Sequence, residues 1–271
     1  MAKRRLKKKT VRIFSNVILV IAICVGLFSG YNLWKERQKY AVAKQSYEDI
    51  RNQTVVKPVP TPEIDEEKRD VYKPRKDIDW EALKAIDENV VAWIEMEGSS
   101  IDYPVAHGVN NDQYLRHLID GNYNEAGTIF VDYRNQRGFN DRNTVLYGHH
   151  MLDEPLMFAE IENYESQEYY DSHKVIMIHT PDGEYDMYPV AGYKTTGTGG
   201  YLKFEFSDDQ DYLNYVSGFV QRSTFVSEET ITADDQMMLL STCSYDVANG
   251  RFVLIGKLIK ADGPEMHEYA E

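Results

Sequence analysis

The feature that most constrains the fold is an uncharged apolar run near the N-terminus. Phe14 to Leu33 are twenty positions without a charged side chain, rich in Ile, Val, Leu and Phe. A helix needs about 20 such residues to cross a bilayer. The run therefore predicts a transmembrane signal anchor over residues 14–34, and a globular core has to be built from the residues that follow it.

Charged residues flank this run unevenly, which bears on its orientation. Residues 1–39 contain 10 of the 30 Lys and Arg residues, and 7 of these precede the run. The positive-inside rule then predicts a cytoplasmic basic tail over residues 1–13 in a single-pass protein of the cell membrane, with the rest of the chain extracellular. A cleaved signal peptide is the alternative, although its apolar core is shorter, about 7–15 residues, and residues 29–32 make a poor cleavage site.

The rest of the chain is strongly acidic. From residue 40 onward there are 20 basic and 43 acidic residues, a net charge of −23. Such a surface repels nucleic acid and anionic lipid headgroups. We therefore expect no nucleic-acid partner, and solubility explains most of this charge.

A change of composition separates the predicted anchor from the predicted domain. Pro58, Pro60 and Pro62 stop any helix, and a charged run follows them. We interpret residues 35–76 as an extracellular stalk that holds a domain away from the bilayer. A folded domain is expected over residues 77–261, with a polar tail over residues 262–271.

Most segments of the predicted domain read as strands, because they are short, apolar, rich in β-branched or aromatic residues and bounded by turn residues. The predicted strands are Val90–Ile94, Ile101–Val105, Gly127–Tyr133, Asn143–Gly148, Lys174–His179, Glu184–Lys194, Gln236–Cys243 and Phe252–Ile259. Strands dominate and no regular alternation of strand and helix is present. The sequence thus predicts a mainly β fold, a closed antiparallel or mixed β-barrel with helical insertions.

Helices are predicted at four places in this domain. Asp79 is a candidate N-cap for a short helix that includes Leu83. Further helices are expected over Asn110–Leu118, about Glu154–Tyr164 and Ser207–Arg222. The last of these is a helical insertion between late strands, and its apolar positions share one helical face.

The cysteines point to chemistry. Cys24 lies inside the apolar run, so it cannot pair with Cys243, the other cysteine of the chain. An exported domain would then carry an unpaired thiol, a hazard outside the cell unless its reactivity is useful. The alternative is a buried, inert cysteine at the end of a strand, and the neighbouring residues argue against it.

Two other side chains are placed to work with this thiol. Gly148, His149 and His150 follow a predicted strand, and histidine near a thiol can act as a general acid or base. Arg251 opens the strand after Cys243, so a short loop would return it beside that cysteine. Its guanidinium could hold a substrate carbonyl or a developing oxyanion.

Other chemistries find less support in the sequence. His149 and His150 could bind a metal ion, but no third ligand stands at a familiar spacing. The sequence has no serine-hydrolase elbow and no Gly-rich phosphate loop. We therefore expect no metal and no cofactor, and Cys243 is the best candidate nucleophile. The remaining histidines are interpreted as structural or exposed; they are His107, His117, His173, His179 and His267.

The order of the three candidates separates this chain from papain-like peptidases, in which cysteine precedes histidine. Here His149 precedes Cys243 by 94 residues and Arg251 follows. The segment Leu240–Cys243 with Arg251 resembles the Thr-Leu-x-Thr-Cys…Arg signature of sortases, the membrane-anchored cysteine transpeptidases of Gram-positive bacteria. The first threonine of that signature is absent here, and Tyr147–His149 resembles the segment that carries the family's histidine.

Several further features resemble class B within that family. They are the N-terminal anchor, Asp79-Trp80 with Leu83, Val91–Ile94, Ile101–Val105 and the Ser207–Arg222 helix. The resemblance implies a sortase-like closed barrel with N-terminal helices. It also implies that Asn111, Leu115, Ser241 and Thr242 contact substrate in a groove beside His149, Cys243 and Arg251.

The resemblance implies an activity as well. Cys243 would attack the carbonyl of a threonine in a sorting motif, Asn-Pro-x-Thr-x or related, near the C-terminus of an exported protein. An amine of a peptidoglycan precursor or cross-bridge would then release the protein from the enzyme. The rival enzyme is a pilin-polymerising sortase that uses a pilin lysine, and the rival of another class is a non-catalytic, membrane-tethered binding domain.

Overall fold

The structure of the protein, a computed structural model, describes residues 2–56, 76–151, 155–244 and 249–261. For residues 2–13, 36, 243 and 244 it describes the backbone alone. Helix α1 (Ala2–Thr54) opens the chain, and the part from Phe14 onward contains an 18-residue stretch that is long and apolar enough to cross a membrane. The chain divides into two compact units, Met1–Ala43 and Lys44–Glu271.

Eight strands form the closed barrel of the second unit. They are β3 (Val90–Glu95), β4 (Asp102–Ala106), β5 (Ile129–Val131), β6 (Asn143–Tyr147), β7 (Ile176–Thr180), β8 (Gly183–Thr196), β9 (Gln236–Ser244) and β10 (Gly250–Ala261). Around the barrel they follow the order β10-β8-β7-β3-β4-β5-β6-β9. The predicted mainly β closed barrel is confirmed, and each of the eight predicted strand segments overlaps one of these strands.

The barrel is mixed rather than purely antiparallel. The pairs β4–β5 and β6–β9 are parallel, and the other neighbouring pairs are antiparallel. Strand β9 carries four successive fully buried residues, Met237 to Leu240. Such a continuous apolar run is typical of a strand that is covered on both faces.

Shorter elements complete the second unit. They are the two-stranded pair β1 (Val55–Val56) and β2 (Asp77–Ile78), helices α2 (Trp80–Ile86), α3 (Gln167–Ser172) and α4 (Asp209–Val220), and a 3₁₀ helix (Ala159–Glu165). Asp79 caps α2 by accepting a hydrogen bond from the Ala82 N–H, as its sequence position predicts.

Helix α4 is the predicted helical insertion between β8 and β9. Its N-terminus is capped by Asp208, which accepts a hydrogen bond from the Asp211 N–H. Tyr212, Val216 and Phe219 are its buried residues. They pack in one hydrophobic cluster with residues of β6, β8, β9 and β10, so α4 covers the face of the barrel on which those strands lie.

Two predicted helices differ from the structure. Asn110–Leu118 forms turns instead of a helix, because the carbonyls that would accept helical hydrogen bonds have partners elsewhere: Tyr114 accepts from the Thr128 N–H, Leu115 from His149 and Arg116 from the Asn124 N–H. The helix expected over about Glu154–Tyr164 is the 3₁₀ helix Ala159–Glu165. Its predicted first residue, 154, lies outside the described residues.

The C-terminal end of α1 packs within the barrel-containing unit. Tyr47 is buried and its hydroxyl donates to the Gly127 carbonyl at 2.7 Å. Arg51 pairs with Asp102 of β4, with 2.7 Å between Nε and Oδ2. The predicted limits of stalk, catalytic domain and tail stay predictions, and residues 57–75 and 262–271 lie outside the described residues.

Candidate active site

A cavity of about 260 Å³ opens where β6 and β9 end and β10 begins. Its lining residues are Asn111, Asp112, Leu115, Phe130, Tyr147, Gly148, His149, Ser241, Thr242 and Arg251. These include two of the three predicted catalytic residues and all four predicted substrate-binding residues. Residues far apart in sequence are thus brought to one site.

Strand register explains this convergence. Tyr147 of β6 lies opposite Phe130 of β5 and also opposite Ser241 of β9. On the far side of β9, Cys243 lies opposite Arg251 of β10. The side chain of Cys243 lies outside the described part of the structure, so the register of its backbone is what the structure gives for the predicted nucleophile.

The main chain before His149 is held in place by close packing. The Gly148 N–H donates to the Ser241 carbonyl at 3.2 Å, which extends the β6–β9 pairing by one residue. A Cβ atom on Gly148 would lie 2.6 Å from the Phe158 ring, so only glycine fits here without movement. The Phe158 N–H in turn donates to the His149 carbonyl at 2.9 Å. Phe158 therefore fixes the chain on which His149 stands.

The imidazole of His149 is half-buried and has one main-chain partner. Nε2 lies 2.7 Å from the Leu115 carbonyl, which can only accept, so Nε2 carries a proton. In the neutral ring Nδ1 then has a free lone pair. Burial lowers the pKa of His149 below its ordinary value, and the positive charges of Arg116 and Arg251 add to this, whereas the Leu115 hydrogen bond opposes it.

The neighbouring His150 has a different environment. Its Nδ1 lies 2.8 Å from Oε2 of Glu162 on the 3₁₀ helix, and Glu162 also pairs with Lys194 of β8. His150 forms an isolated β-bridge with Met157 and is absent from the lining of the 260 Å³ cavity. These contacts indicate that His150 stabilises the loop after β6.

Arg251 stands between two strands. It lies opposite Cys243 in the ladder with β9 and opposite Thr195 in the ladder with β8. Its Nη1 donates to the Gly250 carbonyl at 2.8 Å, and the side chain is half-buried in the cavity wall. A guanidinium has five N–H donors, so Arg251 has hydrogen-bonding capacity beyond this contact.

Ser241 and Thr242 form the buried part of the cavity wall. The Ser241 hydroxyl is 3.1 Å from the Tyr201 hydroxyl. Thr242 is 1% exposed, and its Oγ1 has no hydrogen-bond partner among the residues that the structure describes. Both residues line the cavity, to which Leu115 and Phe130 contribute apolar side chains.

Asn111 is held on both sides of its amide. Nδ2 donates to Asp132 at 3.0 Å, and Oδ1 accepts from the Tyr133 N–H at the same distance. The amide is therefore fixed in one orientation. Leu115, four residues later, is 37% exposed at the cavity rim and contributes the carbonyl that holds His149.

Four lining residues were missed by the sequence analysis as parts of the site: Asp112, Phe130, Tyr147 and Gly148. The signal for Tyr147 was available, because Val145 and Tyr147 alternate along one face of a strand that leads directly to His149. Phe130 depends on the pairing of β5 with β6, which no local pattern reveals. Within the described ranges, no group of three or more His, Cys, Asp or Glu side chains is arranged to hold a metal ion.

The sequence of this chain matches a known family. The family model for a sortase domain matches residues 94–259, more than half of the chain. This chain therefore belongs to the sortase family, whose members are cysteine transpeptidases, and it is an enzyme.

Its relatives define the class within that family as class B. Sortase B of Staphylococcus aureus is 29% identical over 258 residues, covering 91% of this chain and 97% of that protein. Sortase B of Listeria monocytogenes is 30% identical over 252 residues, covering 89% and 95%.

Solved structures agree with this class. A Staphylococcus aureus sortase B–substrate complex superposes with a TM-score of 0.65 and 34% identity, covering 68% of this chain and 86% of that one. Sortase B from Bacillus anthracis in complex with AAEK1 gives a TM-score of 0.70 and 30% identity, covering 83% and 99%.

Proposed function

We propose that this protein cleaves a C-terminal sorting motif after its threonine and transfers the resulting acyl group to a peptidoglycan amine. The observation that carries the proposal is the cavity that joins His149 and Arg251 to the strand position of Cys243. In an antiparallel pair, directly opposite residues have Cβ atoms about 4.5–5.5 Å apart on one face of the sheet. That register supports a thiol and a guanidinium facing the same substrate.

The first half of the proposed reaction forms a thioester. The Cys243 thiolate attacks the threonine carbonyl carbon, the C–N bond breaks, and protonated His149 gives its proton to the departing amine. The ring has one nitrogen committed to Leu115, which leaves Nδ1 for this transfer. The lowered pKa of His149 makes its protonated form a strong proton donor.

Arg251 is proposed to orient the substrate carbonyl and to stabilise the oxyanion that forms during attack. The guanidinium is charged at every working pH, and its planar fork gives direction as well as charge. Half-burial in the cavity wall strengthens such an interaction, because the local dielectric constant is lower than that of water.

The second half of the reaction transfers the acyl group. An amine of a peptidoglycan precursor or cross-bridge attacks the thioester carbonyl, His149 takes the proton from that amine, and the Cys243 thiolate leaves. The product is an amide that joins the surface protein to the wall. The proposed motif is Asn-Pro-x-Thr-x or related, supported by class B membership and by a relative whose structure is a substrate complex.

The proposed location is the outer face of the cell membrane. The basic tail (residues 1–13) would stay in the cytoplasm and residues 14–34 would span the bilayer, supported by the length and hydropathy of α1. Residues 35–76 would lead to a catalytic domain over 77–261, ending in the tail 262–271. The active site would then face the compartment in which exported proteins and wall precursors meet.

The test is turnover by the full chain in detergent with peptide libraries of the forms Asn-Pro-x-Thr-x and Leu-Pro-x-Thr-x, with and without triglycine. We expect cleavage after threonine and a glycine adduct with at least one library. Cys243→Ala should abolish both products. Cys24→Ala, the matched thiol substitution in the predicted anchor, should leave both intact.

Two results would contradict the proposal. Substantial turnover by the Cys243→Ala protein would remove the thiol from the reaction. A wild-type enzyme that cleaves only Leu-Pro-x-Thr-x peptides would keep the activity and overturn the proposed motif.

A further inference from the structure

Asp132 is a fully buried carboxylate directly behind the polar wall of the cavity. It follows β5 and has no exposed surface. Arg134 forms a bidentate ion pair with it: Nε donates to Oδ1 at 2.8 Å and Nη2 donates to Oδ2 at 2.7 Å. Two cavity residues share Oδ2 with Arg134: Asn111 donates to it at 3.0 Å and the Tyr147 hydroxyl at 2.8 Å.

These contacts determine what the cavity offers to a ligand. The hydroxyl hydrogen of Tyr147 is committed to Asp132, so its oxygen presents lone pairs alone to any further partner. Asn111 keeps one N–H and one carbonyl lone pair, because Asp132 and the Tyr133 N–H occupy the others. A peptide group has one donor and one acceptor, which suits this wall.

We propose that Asp132 is a positioning residue, which sets the hydrogen-bonding directions of Asn111 and Tyr147 for the peptide that binds in the cavity. The inference rests on the proposed function and adds a specificity determinant to it. Asp132 does not line the cavity, so it acts through these two side chains rather than on the substrate.

The charge of Asp132 is part of the arrangement. Burial alone would raise the pKa of this carboxyl group, but the hydrogen bonds from Arg134, Asn111 and Tyr147 hold it below its usual value. The pKa of Tyr147 is raised by burial and by the Asp132 charge. The acceptor therefore stays ionised and the donor stays protonated throughout the neutral range.

Arg134 balances this charge from outside the cavity. Its guanidinium carbon lies 4.0 Å from the centre of the Phe204 ring, and its side chain is 42% exposed, whereas Asp132 is fully buried. The ion pair thus keeps the buried carboxylate in place without entering the binding surface.

The test is a double-mutant cycle on peptide affinity in the full-length Cys243→Ala protein, which binds without turnover. Asp132→Asn keeps the shape of the side chain. Its amide N–H groups, however, would face the donors of Arg134, Asn111 and Tyr147 that now bind the carboxylate. We expect Kd for an Asn-Pro-x-Thr-x peptide to rise about tenfold for Asp132→Asn and for Asn111→Ala. The double variant should lose less than the two single losses added together, because part of the effect of Asp132 passes through Asn111.

Asp235→Asn is the matched control. Asp235 precedes β9 at the end remote from the cavity, accepts from the Thr232 N–H at 2.7 Å and pairs with Lys257 at 3.2 Å. This variant removes an ion-paired carboxylate elsewhere on the barrel, and Kd should stay within about twofold of the parent.

A second variant and a second readout guard against a merely structural role. Asp132→Glu keeps a negative charge for Arg134 but shifts the position of the carboxylate. The melting temperature should therefore fall less than in Asp132→Asn, while the affinity for the peptide should still fall. With Cys243 present, the rate at which iodoacetamide alkylates that thiol should stay within about twofold in both Asp132 variants. If an Asp132 variant were misfolded, the rate at which iodoacetamide alkylates Cys243 would change together with the affinity.

The outcomes separate the two proposals. Unchanged Kd in both Asp132 variants, or losses that simply add in the double variant, would overturn the positioning role while leaving the proposed function standing. Failure of the Cys243→Ala parent to bind any motif peptide would overturn the proposed function, and the positioning role with it.

Discussion

At the scale of single residues, the adjacent histidines are distinguished by their partners. His149 contacts a main-chain carbonyl and lines the cavity, whereas His150 is paired with Glu162. A main-chain acceptor orients a ring without fixing its charge. The pairing with a carboxylate ties His150 to loop structure instead.

This difference predicts unequal effects on catalysis. His149→Ala should lower kcat/KM by about 10²–10⁴-fold, the usual loss when a general acid–base group is removed. His150→Ala should lower kcat/KM much less and should lower the melting temperature, because Glu162 loses a partner. Both quantities are to be measured for both variants; equal catalytic losses, or the reverse ranking, would show that the wrong ring was assigned.

Arg251 separates the effect of charge from that of geometry. If its fork holds both the substrate carbonyl and the oxyanion, a lysine cannot replace it. Arg251→Lys should then lose nearly as much as Arg251→Ala, each about 2.7–4 kcal/mol of transition-state stabilisation in kcat/KM. The melting temperature should hardly change, since the residue opens β10 at the cavity wall.

The comparison needs one fluorogenic sorting peptide and a thermal melt for each Arg251 variant. Near-wild-type kcat/KM in Arg251→Lys would reduce its role to simple charge. A large fall in melting temperature for both variants would make Arg251 a structural residue.

At the scale of elements, a buried histidine ties three strands of the barrel together. His179 of β7 is fully buried, 2.6 Å from Glu184 of β8 and 3.5 Å from Glu95 of β3, and Lys76 lies 3.3 Å from Glu95. Burial alone would lower the pKa of His179, but the two glutamates raise it above its ordinary value. The imidazolium is therefore the form that the fold favours.

The raised pKa predicts the sign of a pH effect on stability. The stabilisation from His179 is fully present below its unfolded pKa, about 6.5, and is lost as pH rises through the higher folded pKa. The free energy of unfolding in urea should thus decline above neutral pH in the wild type, and more weakly in His179→Gln.

His117→Gln is the control for this prediction, since its ring nitrogen contacts the Gln113 carbonyl at 3.2 Å instead of two carboxylates. It should keep the wild-type dependence on pH. A free energy of unfolding that rises through the same pH range in the wild type would contradict the stabilising role of charged His179. So would a pH dependence that His179→Gln leaves unchanged.

The sequence predicted the barrel strands well because each is a short apolar segment bounded by turn residues. It failed at Asn110–Leu118, where apolar spacing suggested a helix but the carbonyls of Tyr114, Leu115 and Arg116 accept hydrogen bonds from distant parts of the chain. It also gave no sign of Asp132, whose two partners in the cavity wall are 21 and 15 residues away in sequence. The contact with Asn111 depends on the parallel pairing of β4 with β5, and the contact with Tyr147 on the pairing of β5 with β6; no local pattern specifies either.

At the scale of the whole molecule, an apolar N-terminal helix precedes a barrel whose cavity joins residues from five parts of the chain. The residues from 40 onward carry a net charge of −23, so electrostatic attraction to anionic lipid would not hold the domain at a membrane. Under the proposed function the apolar helix alone retains the enzyme beside its substrates. Membership of the sortase family rests on the family model that matches residues 94–259, and the proposed chemistry rests on Cys243.

The acyl-enzyme is the species that this chemistry requires. Intact-mass spectrometry of the wild-type protein, mixed with an Asn-Pro-x-Thr-x peptide and no amine, should show an adduct of the mass of the peptide up to threonine. Peptide mapping should place the adduct on Cys243, and added triglycine should discharge it. A wild-type enzyme that turns over the peptide with no adduct at Cys243, or with an adduct on another residue, would contradict the proposed mechanism.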